Sequence, residues 1–186
     1  MTDRTPDHIA RLVPRLGLTG TERILELGAA PGAAVAVIGP LLAGDGHVTA
    51  LDRSAVGVRR IHERNRDLVD AGRLTVLEQD LTMLDGDSLR PARFDVIFAS
   101  NVNVFWTHPD KANVATLAGL LAPGGRLHLF YGYGPGDGVS RPGGPGSGRD
   151  TGGLVAATLE RDSALTAVTV DGVSAPLEIR ASRIVG

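Results

Sequence analysis

The segment ILELGAAPGAAVAVI, residues 24–38, constrains the fold of this chain more than any other. Its apolar start has the length of a buried strand, Gly28 and Gly32 allow a tight turn, and the residues after the turn favour a helix. A strand that enters a helix through a glycine turn opens many nucleotide-binding folds. The segment therefore predicts an α/β sheet and raises the question of which nucleotide the turn holds.

Strand-like and helix-like segments alternate along the chain through residue 131. The predicted strands are RILELG (23–28), HVTALD (47–52), RLTVLEQD (73–80), FDVIFAS (94–100) and, after a turn, the end of PGGRLHLFY (123–131). The predicted helices are residues 7–16, residues 31–43 with a kink or early end at Gly39-Pro40, residues 54–70, and residues 109–121. This alternation predicts a parallel, doubly wound α/β sheet, in a chain whose 186 residues suit a single domain.

The C-terminal part has a different composition. Residues 132–153 contain ten glycines and three prolines, so we expect either a lid over the site or a disordered connection. A helix is predicted for residues 154–162, and strands for residues 165–172 and 175–185. These two strands are joined by DGVS, which is too short for a parallel crossover. They should form an antiparallel hairpin at the end of the sheet.

Composition excludes several classes of function. The chain has no cysteine, which excludes disulfides, thiolate metal sites and a cysteine nucleophile. Its net charge of −2 disfavours nonspecific nucleic-acid binding, and it lacks both a membrane-spanning apolar run and the pattern of a secretory signal. We expect a cytoplasmic protein with a small-molecule substrate and without a metal or membrane partner. Monomer and homodimer both stay open.

Ligands of open α/β sheets bind at the carboxyl ends of the strands. The sequence places there the Gly28–Gly32 turn, Asp52, Asp80, the run from Ser100 to Asn103, and Tyr131. Asp52 lies 20 residues beyond Gly32, where an acid can accept hydrogen bonds from both ribose hydroxyls. Neither a GxGxxG nor a P-loop fingerprint follows the first strand, and Glu26 and Asp80 would add repulsion to a phosphate. The three acids favour a cationic ligand with an adenosine-like group.

Five motifs in order resemble those of class I S-adenosylmethionine-dependent methyltransferases. The first motif matches ELGAAPG (26–32), the second- and third-strand acids match VTALD (48–52) and VLEQD (76–80), and the fourth- and fifth-strand motifs match FDVIFASNVNVFW (94–106) and LLAPGGRLHLFY (120–131). The resemblance implies a Rossmann-like, doubly wound sheet of seven strands, mostly parallel with a C-terminal antiparallel hairpin. It also implies methyl transfer from S-adenosylmethionine. One departure is Ala30, where the family often has a glycine.

The resemblance assigns the first motif to the methionine end of the cofactor. The Gly28–Gly32 turn, with Ala29 and Ala30, would wrap this end, and Glu26 would support both the turn and the ammonium group. Asn101 would line the methionine end and the entry for the acceptor.

The nucleoside end would be held by the next two strand ends. Asp52 would accept from the ribose hydroxyls, and Arg53 would lie against the adenine. Asp80 would accept from the adenine amino group, with Leu81 packed beside it. Both aspartates are also suited to capping the helices that follow them, which is compatible with binding.

Catalysis needs a base only if the methyl acceptor must lose a proton. The candidates for this base are His108, Asp110 and Tyr131, and the candidates for contact with the acceptor are Asn103 and Trp106. Simpler alternatives stay open, because Asn101 and Asn103 suit turns, Trp106 suits the core and His108 suits the surface. His128 lies in mid-strand, where we expect a packed residue rather than a base.

Two further functions stay open at this point. One is a catalytically weak or inactive methyltransferase-like module that binds the cofactor or a partner. The other is a nicotinamide-dependent oxidoreductase, which the absent GxGxxG and the terminal hairpin disfavour. The sequence does not identify the methyl acceptor.

Overall fold

The fold is a seven-stranded sheet covered by helices, seen in a computed structural model that describes residues 5–84, 89, 93–132, 150–172 and 176–185. The strands are β1 (Arg23–Leu27), β2 (His47–Asp52), β3 (Leu74–Glu78), β4 (Phe94–Ser100), β5 (Leu121–Tyr131), β6 (Leu165–Asp171) and β7 (Leu177–Arg183). The α-helices are α1 (Asp7–Leu12), α2 (Ala33–Ile38), α3 (Ala55–Arg64), α4 (Arg66–Asp70), α5 (Val104–Thr107), α6 (Val114–Leu120) and α7 (Thr151–Leu159). Short 3₁₀ turns cover Val13–Leu16, Gly39–Leu41, Leu81–Met83 and Pro109–Lys111.

The strand order is β3-β2-β1-β4-β5-β7-β6. Strands β1 to β5 pair in parallel, and β7 runs antiparallel to both β5 and β6. The chain moves outward from β1 to β3 and then returns to β4 on the other side of β1, so the order reverses between β1 and β4. The predicted doubly wound sheet with a C-terminal antiparallel hairpin is confirmed.

Two apolar layers cover the two faces of the sheet. Alternation along β4 sends Phe98 to the layer that contains α1, α2 and α3, and Ile97 to the layer that contains α5, α6 and α7. Both side chains are fully buried, as expected of a parallel strand covered on both faces. Among the described residues, no helix combines the length and the apolar character needed to cross a membrane.

The predicted helices differ in extent from the observed ones. Helix α1 covers only the first part of residues 7–16, and α2 covers only the middle of residues 31–43, and each continues as a 3₁₀ turn that contains a proline. The helix predicted over residues 54–70 is divided at Asn65, whose side chain turns inward and donates to the carbonyls of Gly32 and Ile61. The helix predicted over residues 109–121 is replaced by a 3₁₀ turn and α6, separated by Asn113 in the left-handed conformation (φ 48°). Helix α5 was not predicted, because four residues are too few for a periodic pattern.

The C-terminal boundaries also differ from the prediction. Helix α7 begins at Thr151 rather than at residue 154, because the Asp150 side chain accepts from the Gly153 N–H and caps it. The last residues of the predicted loop or lid over residues 132–153 therefore belong to α7. Residues 133–149 lie outside the described part of the chain. The DGVS turn also extends beyond the described residues, which stop at Gly172 and resume at Pro176.

Candidate functional site

The turn between β1 and α2 requires both of its glycines. Gly28 and Gly32 have φ values of 67° and 81°, in the left-handed region that side chains disfavour. A Cβ atom on Gly28 would lie 2.9 Å from Cγ2 of Val102, and one on Gly32 would lie 2.5 Å from Nδ2 of Asn65. The turn therefore packs closely against the end of β4 on one side and against α3 on the other.

The Asp52 carboxylate, at the end of β2, joins two loops. Its Oδ2 accepts from the Ala30 N–H at 3.0 Å, and its Oδ1 accepts from the Ser54 N–H at 3.0 Å. An ionised carboxylate has about four acceptor positions, so two stay available for a ligand. Asp52 can thus hold the turn and face the cavity at the same time.

Ala30, which replaces a glycine common in the family, is accommodated by a glycine elsewhere. Gly57 is buried in α3, and a Cβ atom there would lie 2.9 Å from the Ala30 Cβ and 2.7 Å from Asp52 Oδ1. The absence of a side chain at Gly57 leaves room for the Ala30 methyl group, which therefore does not crowd the turn.

Glu26 is a buried acid in the middle of the sheet. It is 4% exposed, and its Oε2 has no hydrogen-bond partner among the described residues. Burial, reinforced by the negative charge of Asp52, raises the pKa of Glu26 to about 8. A buried polar atom without a partner is costly, so this carboxyl group favours a cationic or hydrogen-bonding ligand beside it.

The third acidic residue, Asp80, lies just after the end of β3. Asp80 Oδ1 accepts from both the backbone N–H and the hydroxyl of Thr82, each at 2.8 Å. These two hydrogen bonds lower the pKa of Asp80, and the bond from the backbone N–H has the larger effect. Both end on Oδ1, so neither occupies Oδ2. Arg53 and Leu81 line the same cavity as Asp80.

Two adjoining cavities open at these strand ends. The larger has a volume of about 490 Å³, the smaller about 230 Å³, and Gly28, Ser100 and Asn101 line both. Of the remaining predicted site residues, Asp52, Arg53, Asp80, Leu81, Asn103 and His108 line the larger cavity. Glu26, Ala29 and Ala30 line the smaller one. The cavities lie where the strand order reverses, which is where open α/β sheets bind ligands.

Asn101 and Tyr131 connect the ends of β4 and β5. Asn101 has φ 58°, and its Oδ1 accepts from the Gly132 N–H at 2.8 Å. The Tyr131 hydroxyl donates to the Val102 carbonyl at 2.9 Å. Tyr131 is buried, which raises the pKa of its hydroxyl and opposes a role as a base, and it does not line either cavity.

The other candidates lie on α5 or close to its two ends. Asn103 and His108 are exposed and line the larger cavity. Trp106 packs against the core instead, and its buried Nε1 finds no acceptor in the described part of the chain. Asp110 is exposed on the following 3₁₀ turn and lines neither cavity.

Sequence reasoning missed several residues that line the cavities. Gln79 and Thr82 flank Asp80 in the larger cavity, and their proximity in sequence to the acid was an available signal. His8 and Ile9 of α1 line the smaller cavity. No local sequence pattern predicts this position for them, because α1 reaches the β1–α2 turn only through its packing against α2. Burial lowers the pKa of His8, opposed by the charge of Asp7.

Among the described residues, no group of three or more His, Asp or Glu side chains is arranged to hold a metal ion.

Comparison with known proteins identifies the class to which this architecture belongs. Residues 25–127 match the family model described as the methyltransferase domain. The chain therefore belongs to the methyltransferase domain family. The curated proteins include no match to it.

Solved structures share its fold at low sequence identity. A SAM-dependent methyltransferase from Thiobacillus denitrificans, in complex with S-adenosyl-L-homocysteine, is 21% identical with a TM-score of 0.53, covering 68% of this chain and 48% of that one. Magnesium protoporphyrin IX methyltransferase from Synechocystis, with bound SAM, is 16% identical with a TM-score of 0.61, covering 95% and 76%. A SAM-dependent O-methyltransferase from Thermotoga maritima is 15% identical with a TM-score of 0.62, covering 98% and 68%. The chain spans about half the length of the first of these proteins.

Proposed function

We propose that the chain binds S-adenosylmethionine in the two adjoining cavities and transfers its methyl group to a small-molecule acceptor. The proposal rests on one observation above all, the buried carboxyl oxygen of Glu26 beside the Gly28 turn, which has no hydrogen-bond partner in the part of the chain that the structure describes. A ligand with an ammonium group would satisfy this oxygen and compensate its burial.

The residues at the strand ends fit the cofactor. At the methionine end we assign the Gly28–Gly32 turn, with Ala29 and Ala30, together with Glu26 and Asn101. Gly28 offers bare backbone at the junction of the two cavities, because a side chain there would meet Val102. When bound, the cofactor supplies an activated methyl group on a sulfonium whose leaving group is a neutral thioether.

The nucleoside end is assigned to the larger cavity. Asp52 has acceptor capacity left for the ribose hydroxyls after its two bonds to the backbone. Asp80 Oδ2 would accept from the adenine amino group, and Arg53 and Leu81 would flank the base. The lowered pKa of Asp80 keeps it ionised and a strong acceptor near neutral pH.

The acceptor side is assigned to α5 and to the residues directly before and after it. Asn103 and His108 line the larger cavity, and His108 is the one candidate base that faces it. We do not assign a catalytic role to Tyr131 or Asp110, because neither lines either of the two cavities. We do not assign a substrate role to Trp106, because it packs against the core. Catalysis would rest mainly on alignment of the two substrates, which can supply roughly 7–11 kcal/mol of the barrier.

Asp80→Asn provides the sharpest test of this assignment. The introduced amide oxygen can still accept from Thr82, but the amide N–H₂ would replace Oδ2 and oppose the adenine amino group. Calorimetric titration should show S-adenosylhomocysteine bound about tenfold more weakly than by the wild type. S-inosylhomocysteine has a carbonyl in place of the amino group, so its affinity should fall much less in the variant. The affinity for S-inosylhomocysteine relative to S-adenosylhomocysteine should therefore be higher in the variant than in the wild type.

Glu78→Gln is the matched control for this titration. Glu78 is exposed on β3 opposite Asp52 and lines neither cavity, so both ligands should bind as they do to the wild type. Equal losses of both ligands in Asp80→Asn would refute the adenine assignment. Wild-type protein that binds NADH but not S-adenosylhomocysteine would overturn the proposed function in favour of an oxidoreductase, and binding of neither would favour an interaction module.

A further inference from the structure

Thr107 and His108 form a connected pair at the end of α5, and both line the larger cavity. The Thr107 hydroxyl donates to the Asn103 carbonyl, four residues earlier, at 2.8 Å. His108 Nδ1 lies 3.2 Å from the same hydroxyl oxygen. A hydroxyl group has one proton to donate, and here the carbonyl has received it, so toward His108 the oxygen can only accept.

This arrangement determines where the neutral imidazole ring carries its proton. Because Thr107 accepts, Nδ1 must donate and therefore holds the proton, and Nε2 is left with a free lone pair. The distances favour this direction over the reverse one. If the hydroxyl turned to donate to His108, it would give up its shorter bond to Asn103, which has the usual geometry of a threonine bonded to the preceding turn.

We propose that Thr107 is a positioning residue that holds the neutral His108 ring as the Nδ1-protonated tautomer, so that Nε2 is the base for a methyl acceptor carrying a removable proton, such as a hydroxyl group. This inference rests on the proposed methyltransferase function. It assigns a role to Thr107, and it narrows the acceptor to compounds that need deprotonation.

The step balances without another reactant. The acceptor hydroxyl gives its proton to His108 Nε2, and its oxygen forms the bond to the methyl carbon. The electron pair of the broken carbon–sulfur bond stays on sulfur, which leaves as a neutral thioether, and the proton passes from Nε2 to water. His108 is the catalytic residue in this step, and Thr107 acts through it.

The surroundings of the pair favour a neutral acceptor over an ammonium. Of the described residues, those that line the cavity on this side are Asn103, Val104, Thr107 and His108, and none of them is a carboxylate that could balance an ammonium group. Among the described residues, the Asp and Arg side chains that line the same cavity are Asp52, Arg53 and Asp80, at the ends of β2 and β3. Asp110 and Lys111 follow on the next 3₁₀ turn and do not line it.

Nitrogen NMR of the histidine rings tests the proposal without any cofactor or acceptor. In full-length protein labelled with ¹⁵N and held at a pH where the rings are neutral, protonated and unprotonated ring nitrogens have widely separated shifts. The chain has five histidines, and His108→Gln identifies the His108 signals by their disappearance. We expect the His108 proton on Nδ1.

Two substitutions at one position separate positioning from simple packing. Thr107→Val removes the hydroxyl at nearly constant shape, and we expect the His108 proton to move toward Nε2, the site preferred by a free histidine ring. Thr107→Ser keeps the hydroxyl and should keep the wild-type tautomer. Thr107 is exposed, so both variants should fold, which circular dichroism confirms.

Either of two results would overturn the inference. One is a wild-type His108 ring protonated on Nε2, and the other is a Thr107→Val ring with an unchanged tautomer. Titration of the same samples with S-adenosylhomocysteine tests the proposed function separately. Absence of ligand binding would count against the methyltransferase, whereas a wrong tautomer with normal ligand binding would count against the role of Thr107 alone.

Discussion

At the scale of single residues, Glu26 is unfavourable for folding, and we propose that the same carboxyl group is favourable for binding. Its carboxyl group is buried in β1, and burial raises its pKa to about 8. The folded protein therefore binds a proton at Glu26 more tightly than the unfolded chain does. Such a group costs no stability below the ordinary carboxylate pKa, and stability is lost as the pH rises from there toward about 8.

Glu26→Gln should therefore change how stability depends on pH. Glutamine stays neutral at every pH, so the variant does not lose stability as the carboxyl group ionises. The free energy of unfolding of the variant minus that of the wild type should therefore increase from pH 5 to pH 8, by on the order of a few kcal/mol. Urea unfolding without ligand at the two pH values measures this gain. The same variant should bind S-adenosylhomocysteine more weakly, because it cannot pair an ammonium group with a negative charge.

Glu63→Gln is a suitable control, since Glu63 is exposed on α3. It should leave the difference in stability between pH 5 and pH 8 unchanged. If Glu26→Gln and the wild type lost stability in parallel over this range, the buried carboxyl group would not be the cause.

At the scale of elements, the site depends on how closely α3 approaches the β1–α2 turn. Gly57 makes this approach possible, because a side chain there would meet both Asp52 and Ala30. The turn, the ribose-binding carboxylate proposed here and α3 thus share one packed contact. A change on α3 should reach the site through this contact.

Gly57→Ala tests that dependence. Alanine gains about 1 kcal/mol of helix propensity, but the contacts of 2.7 Å and 2.9 Å force overpacking, which typically costs about 1–3 kcal/mol. We expect a net loss in urea unfolding and weaker binding of S-adenosylhomocysteine. Adding Ala30→Gly removes one of the two contacts and should recover part of the loss.

Gly119→Ala in α6 is the matched control for this prediction. A Cβ atom at Gly119 has no neighbour within 4 Å, so the helix-propensity gain should appear alone, as a stabilisation of about 0.5–1 kcal/mol. If the Gly57→Ala protein were as stable as the Gly119→Ala protein, α3 could move away from the β1–α2 turn without a cost in stability.

At the scale of the whole molecule, one ionic cluster joins three distant parts of the chain. Arg15, after α1, bonds to Glu178 on β7 at 2.7 Å and to Asp171 on β6 at 3.0 Å. Glu178 also lies 2.6 Å from Nδ1 of the buried His128 on β5. The predicted packed position of His128 is confirmed. The cluster therefore connects the N-terminal segment to the C-terminal hairpin. Part of this N-terminal segment lines the smaller cavity.

Arg15→Met should loosen this connection. Burial acts to raise the pKa of Glu178, but the bond from His128 and the charge of Arg15 outweigh it and lower the pKa. The stability from this group is present above the ordinary carboxylate pKa and is lost as the pH falls through the lowered value. We expect a loss of about 3 kcal/mol at pH 7, because Glu178 keeps a buried charge without its cation.

Acid should remove the effect. As the pH falls from 7 through the lowered pKa of Glu178, its carboxylate takes up a proton, so Arg15→Met and wild type should approach each other in urea unfolding. Arg59→Met, at an exposed position on α3, should match the wild type at pH 7 and in acid. A loss that persists undiminished in acid would mean that the packing of Arg15 over Phe130, rather than its charge, stabilises the fold.

Part of the fold was predictable because it depends on short-range patterns. The bounds of β2 and β4 match the prediction to the residue, since each strand is a short, mostly apolar segment that ends at a polar residue. The short link between β6 and β7 was enough to predict an antiparallel hairpin. The helix divided at Asn65 was not predictable, because its side chain bonds to a turn 33 residues away.

The sequence by itself determined which residues reach the ends of the strands, because strand length and glycine turns are local properties. It placed Gly28, Asp52 and Asp80 at the edge where the cavities open. Only the tertiary structure decided which side chains face those cavities. It turned the Tyr131 hydroxyl inward to Val102, brought His8 over the turn and set His108 beside the Thr107 hydroxyl. These directions follow from contacts between elements distant in sequence and from hydrogen bonds that exist only once the elements have packed, and no local pattern encodes them.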